Sequence, residues 1–283
     1  MTTFSPSDAA LEGFRLVRER PGTILAWSGI YFVGILLIAL VMVVTLGEDV
    51  LKFVRSGGVE SGDFARLSAA LEHSWPAFLL VMLLVVGLYS VVSGGVYRLV
   101  LRPDEPGFVH LRLGADELRL MVVNIIMIGL GAVFLFIPSV LAFSLPAGSG
   151  FGAVVLGLAV AFGLTWVGTH LLLAAPMTFG VRRIAIADSW RLTKGRFWRL
   201  LGMILLSIIF YVIIWLLLSI ISAAFIALAG GQQAIMNPAQ LKGFAFVPFI
   251  FTMLVQLLMP ILQIVTIAAP LAFAYRDLAT SAD

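Results

Sequence analysis

The chain has 283 residues, of which 61% are hydrophobic and 12% charged, and its mean hydropathy is +1.10. Soluble domains carry about 45–50% apolar and about 25% charged residues, so there are too few polar side chains here to clothe a water-soluble fold, and the chain reads as an all-α, integral membrane protein. The absence of Cys excludes disulfides and thiolate chemistry, and three scattered histidines (His73, His110, His170) offer no metal-ligand spacing, so neither metal nor cofactor is expected.

At the N-terminus, Ser5, Pro6 and Asp8 supply an N-cap, a first-turn proline and an acid near the positive helix end. In the helix they predict, Leu11, Phe14 and Val17 share one face and Asp8, Glu12, Arg15 and Glu19 another. That division predicts an amphipathic helix lying on the membrane surface. Six stretches then meet the roughly 20-residue apolar length of a transmembrane helix: 24–46, 76–97, 120–145, 151–175, 200–229 and 244–275, none containing Asp, Glu, Lys or Arg. The first is too long for the roughly 7–15-residue core of a cleaved signal and is expected to remain as helix one. The longest connection, 47–75, carries Phe64, Leu67, Leu71 and Trp75 at helical spacing, which predicts an interfacial helix leading into the second span.

Between the second and third spans, Pro103 and Pro106 precede a period-two alternation over 108–114, which predicts extended chain. Asp116 and Glu117 then open the third span at its positive dipole end. Asn124 in that span is expected to hydrogen-bond a neighbouring helix. Residues 145–150 predict a tight hairpin turn. The fourth span carries small residues four apart at Ala153, Gly157, Ala161, Thr165 and Thr169, a stripe that permits close approach to another helix of this chain or to a second copy. His170 is expected to be a neutral histidine bonded to a neighbouring helix. Ile186, Trp190 and Phe197 then follow helical spacing with Arg191 and Lys194 pointing elsewhere, and Asp188 lies three residues from Arg191. This predicts a second interfacial helix, with Trp190, Arg191, Lys194, Arg196, Trp198 and Arg199 as candidate contacts to anionic lipid headgroups. In the sixth span Gln256, Pro260 and Gln263 share one face near the midplane. Pro260 has no N–H for the Gln256 carbonyl, so two amides and a free acceptor would either line a polar site or join helices. Pro138, Pro176, Pro248 and Pro270 mark further expected bends.

Fourteen of the eighteen Lys and Arg residues fall on one side of these spans. By the positive-inside rule that side, with both termini, faces the cytoplasm. The six helices group as three pairs, each introduced by a basic triplet: Phe14-Arg15-Leu16, Leu111-Arg112-Leu113 and Trp190-Arg191-Leu192. Such triplets fit a threefold internal repeat, and they fit ordinary placement of arginine at the cytoplasmic face equally well.

The stretch Ala187-Asp188-Ser189-Trp190-Arg191-Leu192-Thr193-Lys194-Gly195-Arg196-Phe197-Trp198-Arg199-Leu200 resembles the segment before a transmembrane helix in the membrane domain of glycerophosphoryl diester phosphodiesterases and in related uncharacterised six-helix bacterial inner-membrane proteins. Ala274-Tyr275-Arg276-Asp277-Leu278 is similar to the closing pattern of that family. The resemblance implies a bacterial inner-membrane protein, without phosphodiesterase activity, because in such proteins the hydrolase is a separate soluble barrel and no connecting segment here reaches domain size. The expectation is a single, non-enzymatic membrane domain over 1–283 that handles lipid or another amphiphile or supports envelope processes. A transporter or channel subunit for a small neutral solute and an anchor for a separate enzyme are the alternatives. No charged group lies within the spans, which counts against proton- or ion-coupled transport. Expected partners are anionic lipid headgroups at the cytoplasmic face and a second copy or another membrane protein, and no nucleic acid.

Overall fold

The computed structural model describes residues 5–55, 61–105, 108–143, 150–228, 231 and 246–280; within these, side chains are described except at 46, 48–55, 61–73, 108, 137–139, 141–143 and 153. The helices in chain order are α1 (Pro6–Glu19), α2 (Pro21–Arg55), α3 (Ser61–Leu101), α4 (Ala115–Phe143), α5 (Gly150–Leu171), α6 (Ala174–Val181), α7 (Ile186–Thr193), α8 (Phe197–Leu228) and α9 (Phe246–Thr280), with a 3₁₀ turn at Phe108–His110. No strand occurs among the described residues. Among the described residues, six helices are long and apolar enough to cross a membrane: Pro21–Thr45, Ser74–Leu101, Ala115–Phe136, Gly150–Val181, Phe197–Leu228 and Phe246–Thr280. The chain is an all-α integral membrane protein. The turn expected at 145–150 and the ends expected at 145, 229 and 244 lie outside the described residues.

Departures from the expected boundaries have local causes. In α2 the helix turns at Gly47 (φ 68°, ψ −159°), a conformation glycine adopts without steric cost. In α3 it bends at Ser74 (φ −117°, ψ 25°), where Pro76 cannot donate to the Glu72 carbonyl. The helix expected before the second span is there, running into it through this bend. The fourth span breaks between α5 and α6, just before Pro176, whereas Pro260 and Pro270 lie inside one continuous α9. Pro248 occupies the first turn of α9, where its missing N–H costs nothing.

The N-terminal helix forms as its cap predicts, with the Asp8 N–H donating to Ser5 Oγ at 3.4 Å, but its buried face is a different one. Ala9, Ala10, Gly13 and Leu16 are buried, while Leu11 is exposed. A Cβ on Gly13 would stand 2.8 Å from the Thr266 Cα, so α1 packs backbone to backbone against α9. Small residues allow that approach, and close packing between helices governs where apolar burial is equally available in lipid. Phe14 meets Phe210 of α8 edge to face.

α2 packs on α3, α4 on α5, and α8 on α9. α9 is central, touching α1, α2, α3, α6 and α8. Its second half is largely buried, as is the end of α3, and Ile261, Val265, Ala269 and Ala272 meet Trp27, Val92 and Val96 there. Ala274 and Leu278 meet Ala9, Leu173, Leu200 and Met203. The dense core therefore lies at the end of the bundle that carries most arginines, called here the basic end.

Candidate functional site

The site grows from two consecutive glycines on α3. A Cβ on Gly94 would stand 3.3 Å from Glu117 Oε1 and from Leu120 Cδ1; one on Gly95 would stand 2.7 Å from Leu111 Cδ2 and 3.2 Å from Trp27 Cζ2. Their bare backbone lets the start of α4 and the preceding turn lie directly on α3. One turn further, Arg98 points into that contact and is 2% exposed. It donates to Glu117 Oε1 and to the His110 carbonyl, both at 2.5 Å. Its Nε lies 3.6 Å from Glu105 Oε2 and makes no hydrogen bond. A charge this far from water must be compensated locally, and the 5%-exposed Glu117 carboxylate does so.

The chain expected to be extended over 108–114 is instead a 3₁₀ turn followed by irregular backbone. Val109 (φ 51°) and His110 (φ 61°) both occupy the left-handed region, which costs roughly 1–2 kcal/mol per non-glycine residue. Two long side chains hold them: Trp27 Nε1 donates to the Val109 carbonyl at 2.8 Å, and Arg98 takes that of His110. Period-two alternation here reflects a turn gripped from two helices rather than a strand. Burial, followed by the nearby Arg20 and Arg98 charges, lowers the His110 pKa and holds the ring neutral.

A wider network ties the basic end together. Arg102 meets Asp116 Oδ2 at 3.2 Å and Glu105 Oε1 at 3.5 Å, and donates to the Phe179 and Gly180 carbonyls of α6 at 2.5 and 3.2 Å. Its guanidinium stacks over the Phe179 ring. Gly180 is matched to Tyr275, whose Cε1 would stand 2.5 Å from an added Cβ. Arg276 donates to the Val100 carbonyl at 3.1 Å. Arg119 pairs with Asp116 at 2.6 Å, and Arg182 with Glu105 at 2.9 Å. Glu105 thus serves Arg98, Arg102, Arg182 and, at 3.9 Å, Arg112. Five guanidiniums (Arg98, Arg102, Arg112, Arg119, Arg182) share three carboxylates (Glu105, Asp116, Glu117), leaving two positive charges in excess.

Beside this network a cleft of about 1140 Å³ runs between α2, α3 and the start of α4. That is just above the roughly 300–1,000 Å³ of small-molecule sites. Ile30, Gly34, Leu37 and Val41 of α2 face Leu83, Gly87 and Val91 of α3, with Met121 at the back. At the basic end the lining changes to Leu113, Gly114, Glu117 and Arg112. Leu37 is 58% exposed and Val33, Leu83, Leu84 and Leu118 are also exposed, so the cleft opens sideways to the bundle's surroundings. The long wall is apolar, and the charged groups sit at one end.

The residues singled out from sequence fall elsewhere. Gln256 and Gln263 are exposed, with no side-chain hydrogen bond among the described residues, and Pro260 between them is half-buried. They share an α9 face with Ile267, Ala274 and Leu278, which pack toward Leu173, Leu200 and Met203 further along. None of the three lines the cleft. Asn124 Nδ2 donates to Ser90 Oγ of α3 at 2.9 Å. His170 is buried between helices: its Nδ1 lies 3.1 Å from Thr193 Oγ1, and its ring stacks on Trp190 at 4.6 Å. Thr193 and Ser189 donate to the His170 carbonyl at the end of α5, at 3.0 and 3.1 Å. The Thr193 hydroxyl also lies 2.9 and 3.2 Å from the Ser189 and Trp190 carbonyls of its own helix. In the 187–200 stretch the inward residues are thus Ser189, Thr193 and Leu200, with Trp190 half-buried against His170. Arg191, Lys194, Trp198 and Arg199 are exposed, and Arg196 is half-buried and bonded to the Leu192 carbonyl. Asp188 pairs with both Arg191 and Arg183. Gly195 (φ 80°) ends α7, so Phe197 opens α8 rather than completing the amphipathic helix.

The small-residue stripe of α5 makes no close approach at Gly157, where an added Cβ meets nothing within 4 Å. Gly157, Ala161 and Thr165 are exposed; Thr165 and the buried Thr169 donate to carbonyls of their own helix. Closer to α4 is Gly163, off the stripe, where an added Cβ would stand 3.5 Å from Phe134 Cε1. The side chain of Ala153 lies outside those described.

Arg98, Glu117, Arg112 and Trp27 are the residues sequence reading misses as a group. Their signal is the Gly94-Gly95 doublet one turn before an arginine, with Glu117 opening the next helix. Charge counting takes Arg98 and Arg112 as topology markers alone. No family model matches the chain, and neither do characterised proteins or solved structures.

Proposed function

We propose that this protein is a non-enzymatic membrane protein that receives the apolar part of a lipid or another amphiphile sideways into the cleft between α2, α3 and α4. The observation that carries this reading is the cleft itself: a long apolar wall open along its side, ending in charged groups at one end. Chains entering from the bilayer would keep their apolar environment while the polar part met the basic end. We place both termini in the cytoplasm on the arginine distribution, and the chain in a bacterial inner membrane on the resemblance of 187–200 alone. A second reading, passage of a small neutral solute, draws on Gln256 and Gln263, exposed and without side-chain partners among the described residues.

Native mass spectrometry of the purified protein tests the cleft. Gly87 lines it, and an added Cβ there meets only Met121 Sδ at 3.8 Å, so Gly87→Trp fills the space without disturbing backbone. Wild-type protein should retain lipid through detergent exchange, and Gly87→Trp should release it while staying folded and monodisperse. Equal retention by both refutes the reading. A reporter fused after Asp283 should be active only in a cytoplasmic assay; periplasmic activity overturns the orientation.

A further inference from the structure

The geometry points to an amphiphile with an anionic headgroup, a phosphate ester by chemistry, as the occupant of the cleft, with Arg112 as the residue that selects it. This rests on the reading of the cleft as an amphiphile site and adds the class of headgroup. Two charged side chains line the cleft, Arg112 and Glu117. Glu117 is already spent, since it is buried and carries the 2.5 Å ion pair with Arg98. Arg112 is not: its side chain is 44% exposed, and its ion pair is the 3.9 Å contact with Glu105. That carboxylate already serves Arg98, Arg102 and Arg182 at shorter distances. A carboxylate divided among four guanidiniums cannot neutralise them, and the two-charge excess is borne where the side chains remain accessible, at Arg112 on the cleft and at the exposed Arg182, which bonds the other oxygen of Glu105.

A guanidinium suits this task because its planar fork meets two oxygens of one phosphate. At the edge of an apolar cleft the pairing is screened less than in open water. A zwitterionic headgroup would bring a cation toward the same positive cluster, and a neutral one would leave Arg112 with its long contact to Glu105. The headgroup is therefore chosen at the basic end and the chains are held by the wall, so selectivity and retention belong to different residues.

Native mass spectrometry with lipids of identical acyl chains separates the two. The probes are a phosphatidylglycerol, a phosphatidylcholine and a diacylglycerol, with glycerol phosphate as the chainless anion. Wild-type protein should prefer phosphatidylglycerol to phosphatidylcholine by roughly fivefold, the size of one basic residue near anionic lipid, and should not retain glycerol phosphate. Arg112→Gln should bind all three lipids with that preference gone and diacylglycerol binding unchanged. Arg18→Gln, which removes an exposed charge of α1 that does not line the cleft, should keep the preference. If the preference survives Arg112→Gln, or is lost in Arg18→Gln instead, the headgroup assignment is wrong while the cleft stands. If Gly87→Trp retains every lipid as wild type does, the cleft reading fails and takes this assignment with it. Retention of glycerol phosphate alone would identify a soluble phosphate as the ligand and overturn the lipid.

Discussion

Replacing Arg98 by Met removes a guanidinium that is 2% exposed and donates to Glu117 and to the His110 carbonyl. Glu117, itself buried, would then face Gly94 and Gly114 as a carboxylate without a counter-ion. Removing one partner of a buried ion pair costs about 3–5 kcal/mol, chiefly because the other charge stays behind. Glu117→Leu should cost a similar amount, since it leaves Arg98 with Glu105 at 3.6 Å, a carboxylate already shared. The double variant Arg98→Met/Glu117→Leu removes both charges and should recover much of the loss, because apolar replacements of buried pairs are often close to neutral. Recovery should be incomplete. The His110 carbonyl still lacks its donor, worth about 1–3 kcal/mol if left buried, and the left-handed turn keeps only its Trp27 anchor. Thermal unfolding in one detergent, followed by tryptophan fluorescence, should rank wild type above the double variant and the double variant above either single one. Single variants within about 1 kcal/mol of wild type, or a double variant as destabilised as the sum of the singles, would refute the assignment of a buried, mutually compensating pair.

Gly13→Ala should destabilise by about 1–3 kcal/mol through overpacking, since its Cβ meets the Thr266 backbone, whereas Gly157→Ala should stay within about 0.5 kcal/mol of wild type; equal effects in unfolding measurements would contradict the packing described for α1 and α5. His110 is held neutral, so its folded pKa lies below the unfolded value of about 6.5. Its contribution should be flat above pH 6.5, turn destabilising as pH falls below 6.5 because the unfolded state takes up the proton first, and level off below the folded pKa. His110→Asn, which tolerates the left-handed backbone, should flatten that part of the pH–stability curve, and an unchanged slope would exclude His110 as its source. Gln256→Leu/Gln263→Leu should leave stability in detergent within about 0.5 kcal/mol, because neither amide has a side-chain hydrogen bond among the described residues; a loss above about 1 kcal/mol would show that both are bonded.

By itself the sequence determined the membrane character, the number of spans and nearly all of their placement. A run of some twenty residues without charge has few alternatives in a cell, and the bilayer's thickness sets its length. Local chemistry was equally readable at Ser5, whose hydroxyl caps α1, and at Asp188, within reach of Arg191 at helical spacing. Asn124 and His170 were legible as polar residues needing partners, although which partners they take depends on the neighbours α3 and α7.

Tertiary structure decided the direction in which each charge faces. Arginine counting registers which side of the membrane a residue occupies and is blind to whether its side chain turns outward or into the bundle. Arg98 turns inward because Gly94 and Gly95 admit α4 and the Val109–His110 turn against α3, and Arg112 reaches the cleft because that turn is held there by Trp27 and Arg98. The buried face of α1 was decided in the same way, by which residues are small enough to meet the backbone of α9 rather than by which are most apolar. Hydrophobicity chose the solvent for this chain, but in that solvent apolar surface no longer distinguishes inside from outside. Close packing and the pairing of buried charge, both contacts between residues far apart in sequence, make that distinction instead.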